Sequence, residues 1–350
     1  MNAAGVKSGN ISGPLFLGFL LACLLLLIVL SAGMGHISIS FEDVSRIIFA
    51  KVTGNKMMIA ETGELFPVIV MDVRLPRILT SVIVGGGLAI SGCVFQGILL
   101  NPLADPYTLG VSAGAAFGAS IALLLNISLY GNVSIPVFAF AGAVTSLFVV
   151  IYLSLSGGGI SSSNLILSGI IVASILSAGI SYIKYSADEQ VAVIIFWLMG
   201  SFASRGWNDV CLTLIVSTVG FCVFCFFARD LNLLAMGRRT ASSIGVDTNR
   251  LTLVMLITAS LVTAICVSVS GIIGFVGLLV PHMMRTVAGP DNRRLIPASF
   301  LAGGILLLCA DTLTRAILEH EVPVGVLTAL IGGPFFCYIF RKKQMGRTSV

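Results

Sequence analysis

Charge is what this chain has least of. Asp, Glu, Lys and Arg make up 10% of its 350 residues, while 57% are hydrophobic; soluble domains carry roughly 25% charged residues. A water-soluble core of this composition is excluded. Histidine occurs three times, at His36, His282 and His320. There is no HExxH, no paired Cys/His site and no dinucleotide-binding glycine fingerprint. No metal, cofactor or catalytic role is therefore expected. GxxxxGK[ST] is also missing, so if ATP drives this protein, another chain must hydrolyse it. The formal net charge of +5 is small, and its placement is explained below by topology. It does not imply a nucleic-acid partner.

Long apolar runs are abundant. A membrane helix needs about 20 mostly apolar residues, and about ten such spans fall near 14–33, 77–99, 106–126, 135–155, 162–185, 207–228, 250–270, 272–284, 296–318 and 323–340. The span at 272–284 is too short to cross without a bend or loop. In hydrocarbon every backbone polar group must be satisfied internally, so spans this apolar are helices. The fold class is all-α: one polytopic membrane domain covering 1–350.

With both termini in the cytoplasm, the inner segments hold Lys7, Arg229, Arg238, Arg239, Arg250, Arg285, Arg293, Arg294, Arg341, Lys342, Lys343 and Arg347, against Asp105, Asp230, Asp247 and Asp291. The opposite side holds Arg46, Lys51, Lys56, Arg74, Arg77, Lys184, Arg205 and Arg315. This bias follows the positive-inside rule. The first apolar run, Leu15 to Leu30, is long and lacks a clean small-x-small cleavage site, so it reads as a retained helix. All eight cysteines lie in or beside apolar spans; the CxxC at Cys222 and Cys225 has no second pair or nearby histidine, and reads as packing.

Residues 34–73 form the longest polar stretch. Ser40-Phe-Glu-Asp43 has the grammar of a helix start, and Phe41, Val44, Ile47 and Ile48 would share one face of a short interfacial helix. Arg74-Leu-Pro76-Arg77 reads as the opening of the second span, because proline suits a first helical turn. Asn101-Pro102 and Asp105-Pro106 punctuate the turn that follows, where Asp105 can cap the next helix.

Small residues recur every fourth position at Gly110, Gly114, Gly118 and Ala122, and again at Gly169, Ala173, Ser177 and Ser181. Such ridges let helices in lipid approach closely. Packing suffices for the first; the second carries hydroxyls, and either packs or faces a polar pathway. Residues 229–250 break the apolar rhythm. Gly237 and Gly245 divide them into two short amphipathic segments, a docking surface for a soluble partner.

Two features imitate chemistry. Gly110-Val-Ser112-Ala-Gly114 matches G-x-S-x-G, but a nucleophile elbow needs a preceding strand and acid and histidine partners; here the flanks are apolar and helical. Asp311 is the acid placed deep in a span, which makes it a candidate proton relay. Arg315, one turn later, can pair with it.

Taken in order, RLPR, SGxxxQ (Ser91 to Gln96), NPLADP, LGVSAGAAFGA, the AMG…IGVD loop, GFVGLLVPHMMR and AD…R…EVPVGVLTALIGGPFF resemble the FecCD family, from about Arg74 to Phe336. These are permeases of ABC importers for iron–siderophores, haem and vitamin B12. The resemblance implies a ten-helix subunit in a bacterial or archaeal cytoplasmic membrane. It would pair with a second permease, identical or homologous, with two ATPase subunits and with a periplasmic or lipid-anchored binding protein. It implies outward arginines for binding-protein docking at Arg74 and Arg315. An inner gate would form at Asn101, Leu103, Ser161 and Ser162. ATPase coupling falls on 231–247, with Leu231, Leu234, Met236, Gly237, Arg238, Ala241, Ile244 and Gly245. The competing reading is a secondary transporter coupled to protons through Asp311.

Overall fold

The computed structural model describes residues 13–35, 37–53, 63, 65–127, 134–156, 159–316 and 321–345. Lys7, Lys56 and Arg347 of the charge argument, with His36 and His320, lie outside the described residues. The chain runs through α1 (Gly13–Gly33) and α2 (Phe41–Thr53) into a continuous helix made of α3 (Phe66–Val68), a π-helical turn (Ile69–Arg74) and α4 (Leu75–Leu99). Then come α5 (Val111–Leu124), α6 (Ser134–Ser154), a two-residue antiparallel ladder of β1 (Leu155–Ser156) and β2 (Gly159–Ile160), and α7 (Ser162–Ser186). α8 (Val191–Leu198), α9 (Trp207–Phe226), α10 (Ala228–Ala235) and α11 (Arg238–Ser243) follow. α12 (Thr248–Ser270), α13 (Val276–Val287), α14 (Asn292–Ala316) and α15 (Val324–Met345) complete the order. Among the described residues, seven helices are long and apolar enough to cross a membrane, and α5 and Val324–Tyr338 of α15 are shorter apolar helices.

α4 is the axis. Nearly all its side chains are buried, and α9, α12, α13 and α14 pack around it. Lipid gives helices little hydrophobic reason to associate, so close backbone approach must supply the contact. Glycines permit it. A Cβ on Gly85 would overlap the Gly303 carbonyl of α14, one on Gly303 would overlap the Gly85 carbonyl, and one on Gly92 would strike the backbone of Gly277 in α13. Gln96 adds a polar lock: its amide Nε2 donates to the Gly277 and Leu278 carbonyls at 3.4 and 3.2 Å, and its Oε1 accepts from Arg285 Nη1 at 3.0 Å. The Gly110–Gly118 ridge serves α5 in the same way, meeting Gly169 of α7 and Gly142 and Phe138 of α6. The G-x-S-x-G match is therefore a packing seam between helices. On the second ridge, Gly169 packs against the Thr108 carbonyl, whereas Ser177 and Ser181 are exposed.

Two expectations need correction, and one helix was not foreseen. The helix that contains Pro76 starts at Phe66, not at Arg74. Proline cannot donate to the carbonyl four residues back, and the π-helical turn just before it relaxes that demand. The third span gives up its first residues to non-helical backbone, since α5 begins only at Val111. α8 was not foreseen, because eight apolar residues do not fill a span. Finally, α2 is capped as expected, Asp43 N–H donating to Ser40 Oγ at 3.1 Å. Val44 and Ile47 are buried and Ile48 packs against the same core, as expected, while Phe41, the first residue of the helix, is 59% exposed.

Gly303→Leu should therefore wedge α4 from α14 and destabilise the protein by at least about 2 kcal/mol. Gly18→Leu, where a Cβ meets nothing within 4 Å, should leave it unaffected. Thermal unfolding of the detergent-solubilised variants checks both.

Candidate functional site

At one end of the molecule the three arginines Arg74, Arg77 and Arg315 converge, all buried, with the fully buried Asp311. α1 ends here, and its last carbonyls have no intrahelical donors. Arg74 Nη1 donates to Ala32 O at 2.7 Å and its Nη2 to Ile37 O. Arg315 Nη2 donates to Ser31 O at 2.8 Å and to Ser31 Oγ at 2.9 Å. Cations at a helix C-terminus also suit its dipole. This competition corrects the expected Asp311–Arg315 pair. Arg315 turns to α1, and Asp311 is bound instead by Arg77, whose Nε lies 3.0 Å from Oδ1 and Nη2 2.9 Å from the same oxygen. Arg77 Nη1 also reaches Glu321 Oε2 at 3.1 Å, and the Glu321 side chain is 39% exposed. Among the described residues three cations thus face two carboxylates, and Arg315 Nε and Nη1 have no hydrogen-bond partner. The residues expected at a docking site, Arg74 and Arg315, are brought together; Arg77, Asp311 and Glu321 join them.

At the other end of α4, Leu100 takes a left-handed conformation and stops the helix. Asn101 Oδ1 accepts from Leu103 N–H at 3.0 Å, which shapes the turn, and Leu103 is exposed. Ser161 is the N-cap residue of α7 and Ser162 its first helical residue. No hydrogen bond joins these two pairs among the described residues, so the four gate candidates sit on two separate helix ends.

The 231–247 candidates divide by face. Leu231, Leu234 and Ala241 are fully buried, whereas Met236 is 65% and Ile244 58% exposed. Gly237 and Gly245, at φ +107° and +95°, make the two turns, a region where a side chain would be strained. Arg238 Nη2 reaches Thr252 Oγ1 of α12 at 3.4 Å. Two short helices are thus pinned from below and present apolar knobs outward.

Between the ends lies a cavity of about 630 Å³ lined by Asp105, Tyr107, Met199, Ile272, Phe275, Leu278 and Gly325, among others. Its walls include three stretches of irregular backbone: the turn before α5, the Met199–Ser201 connection and Gly271–Phe275. Non-helical backbone in such a protein is tolerated where it lines a cavity or is buried in protein. Ser201 N–H donates to Ser270 O at 2.8 Å, tying two of them together. Asp105 Oδ1 satisfies the Tyr107 and Thr108 amides at 3.1 and 2.9 Å; this closes the turn and does not cap the next helix as expected, because α5 begins only at Val111 with Gly110 as its N-cap. Phe275 holds a left-handed φ of 69°, a strained state for an aromatic residue. Tyr107 and Phe275 were missed as site residues; the Gly271-Ile-Ile-Gly274-Phe275 run, in a span too short to cross, was the available signal.

A polytopic helical subunit with a cavity bounded by broken helices, a cationic cluster at one end and an anchored amphipathic helix pair away from it is the design of a transport permease. Comparison with known proteins makes the class specific. The model of the FecCD transport family matches residues 23–342, and the chain belongs to that family of ABC importer permeases. It is 43% identical over 287 residues to the cobalamin import system permease protein BtuC of Halobacterium salinarum, covering 82% of this chain and 76% of that one. It is 35% identical over 337 residues to the molybdate import system permease protein MolB of Haemophilus influenzae, covering 96% and 98%. A solved structure of a metal-chelate type ABC transporter in an inward-facing conformation superposes with a TM-score of 0.82 at 32% identity, over 94% of this chain and 99% of that one.

The arginine cluster is a stability element as well as a candidate site. Arg77→Ala should strand the buried Asp311 charge and cost about 3–5 kcal/mol. Glu321→Gln, at a half-exposed partner, should cost no more than about 1 kcal/mol. Unfolding temperatures of the two variants in detergent measure the contrast.

Proposed function

We propose that this chain is the membrane-spanning subunit of an importer for a metal chelate, a siderophore or haem, or for cobalamin. A binding protein delivers the ligand, and separate ATPase subunits on the cytoplasmic face supply the energy. The observation that carries the reading is the pair α10–α11, pinned inward by Leu231, Leu234 and Ala241 and apolar outward at Met236 and Ile244. Apolar side chains presented outward from a short amphipathic helix pair suit docking by a protein partner. Both termini and this pair lie in the cytoplasm, in keeping with the positive-inside distribution. The arginine end then faces outward, where Arg74 and Arg315 dock acidic residues of the binding protein. The excess of cation over carboxylate in their cluster, among the described residues, supports that role. A second copy or a homologue of the chain completes the permease, and Asn101, Leu103, Ser161 and Ser162 close the inner mouth.

Substrate class rests on the relatives. One is named for cobalamin and the aligned structure for a metal chelate, while another is named for molybdate. Uptake of labelled chelates, cobalamin and oxyanions, each with the cognate binding protein, separates these. Proton coupling through Asp311 gains no support from its surroundings, since its carboxylate is already engaged by Arg77.

Met236→Asp and Ile244→Asp should each abolish co-purification with the ATPase while leaving the permease folded; retention of the ATPase by both variants would count against the assignment. Arg315→Gln should slow binding-protein association by about tenfold at low salt, and Arg315→Lys should restore most of it. Association kinetics measured at two ionic strengths test this, and rates that ignore both substitutions and salt would remove the docking role.

A further inference from the structure

α10 is joined to α14 by a three-residue polar clasp that is distinct from its apolar anchors. Asn232 of α10 accepts at Oδ1 from the Asn292 backbone N–H at 2.9 Å and from Asn292 Nδ2 at 2.8 Å. Its own Nδ2 donates to Asp291 Oδ1 at 2.6 Å. The orientation of the Asn232 amide is dictated, because a backbone N–H can only donate and a carboxylate only accepts. Asp291 Oδ1 also accepts from Arg293 N–H at 3.0 Å, so the first turn of α14 is capped twice, by its own Asp291 and by a side chain of another helix. Partial burial opposes ionisation of Asp291, but the Arg293 amide, the Asn232 amide and the charges of Arg293 and Arg294 hold it below the usual carboxylate range. The buried Asn292 extends the clasp to α4, where Cys93 Sγ lies 3.6 Å from its Oδ1.

From this clasp α14 runs 25 residues, about 37 Å, to Asp311 and Arg315 in the arginine cluster. Along the way it is locked to α4 by the Gly85–Gly303 backbone contact. One helix therefore has its first turn held by α10 and its last turn in the cationic end.

We infer that Asn232 is a positioning residue for energy coupling: it makes α10 and α14 move as one body, so that the state of the arginine end is transmitted to the ATPase surface. This rests on the reading of α10–α11 as the ATPase contact, and adds to it a residue that does not face the ATPase. Asn232 is directed at α14, while Met236 and Ile244 supply the outward face. Coupling between distant sites requires such an element with two arrangements that both sites bias.

The test uses the full importer, this chain with its cognate ATPase and binding protein, in lipid nanodiscs. Asn232→Asp sets two carboxylates against each other. It should leave ATPase co-purification and basal hydrolysis intact and reduce stimulation by the loaded binding protein by about tenfold. Asn232→Leu, which removes the hydrogen bonds without adding charge, should give the same split. The exchange Asn232→Asp with Asp291→Asn keeps the two Asn292 bonds and returns a donor–acceptor pair between positions 232 and 291. One amide atom cannot both donate to the new carboxylate at position 232 and accept from the Arg293 N–H, whereas Asp291 Oδ1 accepts from both Asn232 and Arg293, so the exchange should restore stimulation only in part. A residue that merely stabilised the fold would lower basal activity and assembly together. Wild-type stimulation in an assembled Asn232→Leu complex overturns the inference. Should Asn232→Asp fail to assemble, the Leu variant decides. Loss of the ATPase contact itself is read separately from Met236→Asp, so a failure of the docking assignment and a failure of the clasp give different patterns.

Discussion

The structure depends on how closely α4 can approach its neighbours. In lipid, apolar side chains gain little by leaving acyl chains for one another, so van der Waals contact between backbones has to hold helices together. Gly85 against Gly303 and Gly92 against Gly277 bring α14 and α13 onto α4 at distances no side chain would allow. With these contacts made, the polar groups fall into place. Gln96 reaches the α13 carbonyls, Arg77 reaches Asp311, and the cavity-lining segments have neighbours to satisfy their backbone. Without them the buried charges would lose their partners together.

Charge is scarce in the chain, and where it is buried it is arranged with care. Arg74 and Arg315 do two jobs. They cap the open end of α1, and with Arg77 they put three cations against two carboxylates among the described residues. That arrangement holds the buried guanidinium groups firmly in place. The same economy appears at the other end, where Asn232, Asp291 and Asn292 cap a helix and tie it to a neighbour in one set of bonds.

Much of this was legible from residue order. Apolar length located the spans, Ser40 announced its cap, and the every-fourth-residue glycines announced the α5 seam. The motifs from Arg74 to Phe336 carried the family. What stayed hidden was tertiary. The i,i+4 rule suggested Asp311 with Arg315, but a sequence does not reveal that the α1 carbonyls compete for Arg315, or that Arg77, 234 residues from Asp311, is nearer. Pro76 looked like a helix start because its usual cost to a helix interior was assumed, and a π-helical turn removes that cost. The cavity was invisible because its walls come from connections that lie far apart in the chain. Among the coupling candidates, the division into buried Leu231, Leu234 and Ala241 and exposed Met236 and Ile244 emerged only from the fold.

The source of energy tests the account most directly. Proteoliposomes would be built with this chain, its permease partner and its ATPase, loaded with ATP and supplied outside with binding protein and labelled chelate or cobalamin. The account predicts accumulation that needs both the ATPase and the binding protein and survives collapse of the proton gradient. Accumulation by the permease alone, driven by an imposed proton gradient and abolished by an uncoupler, would contradict it.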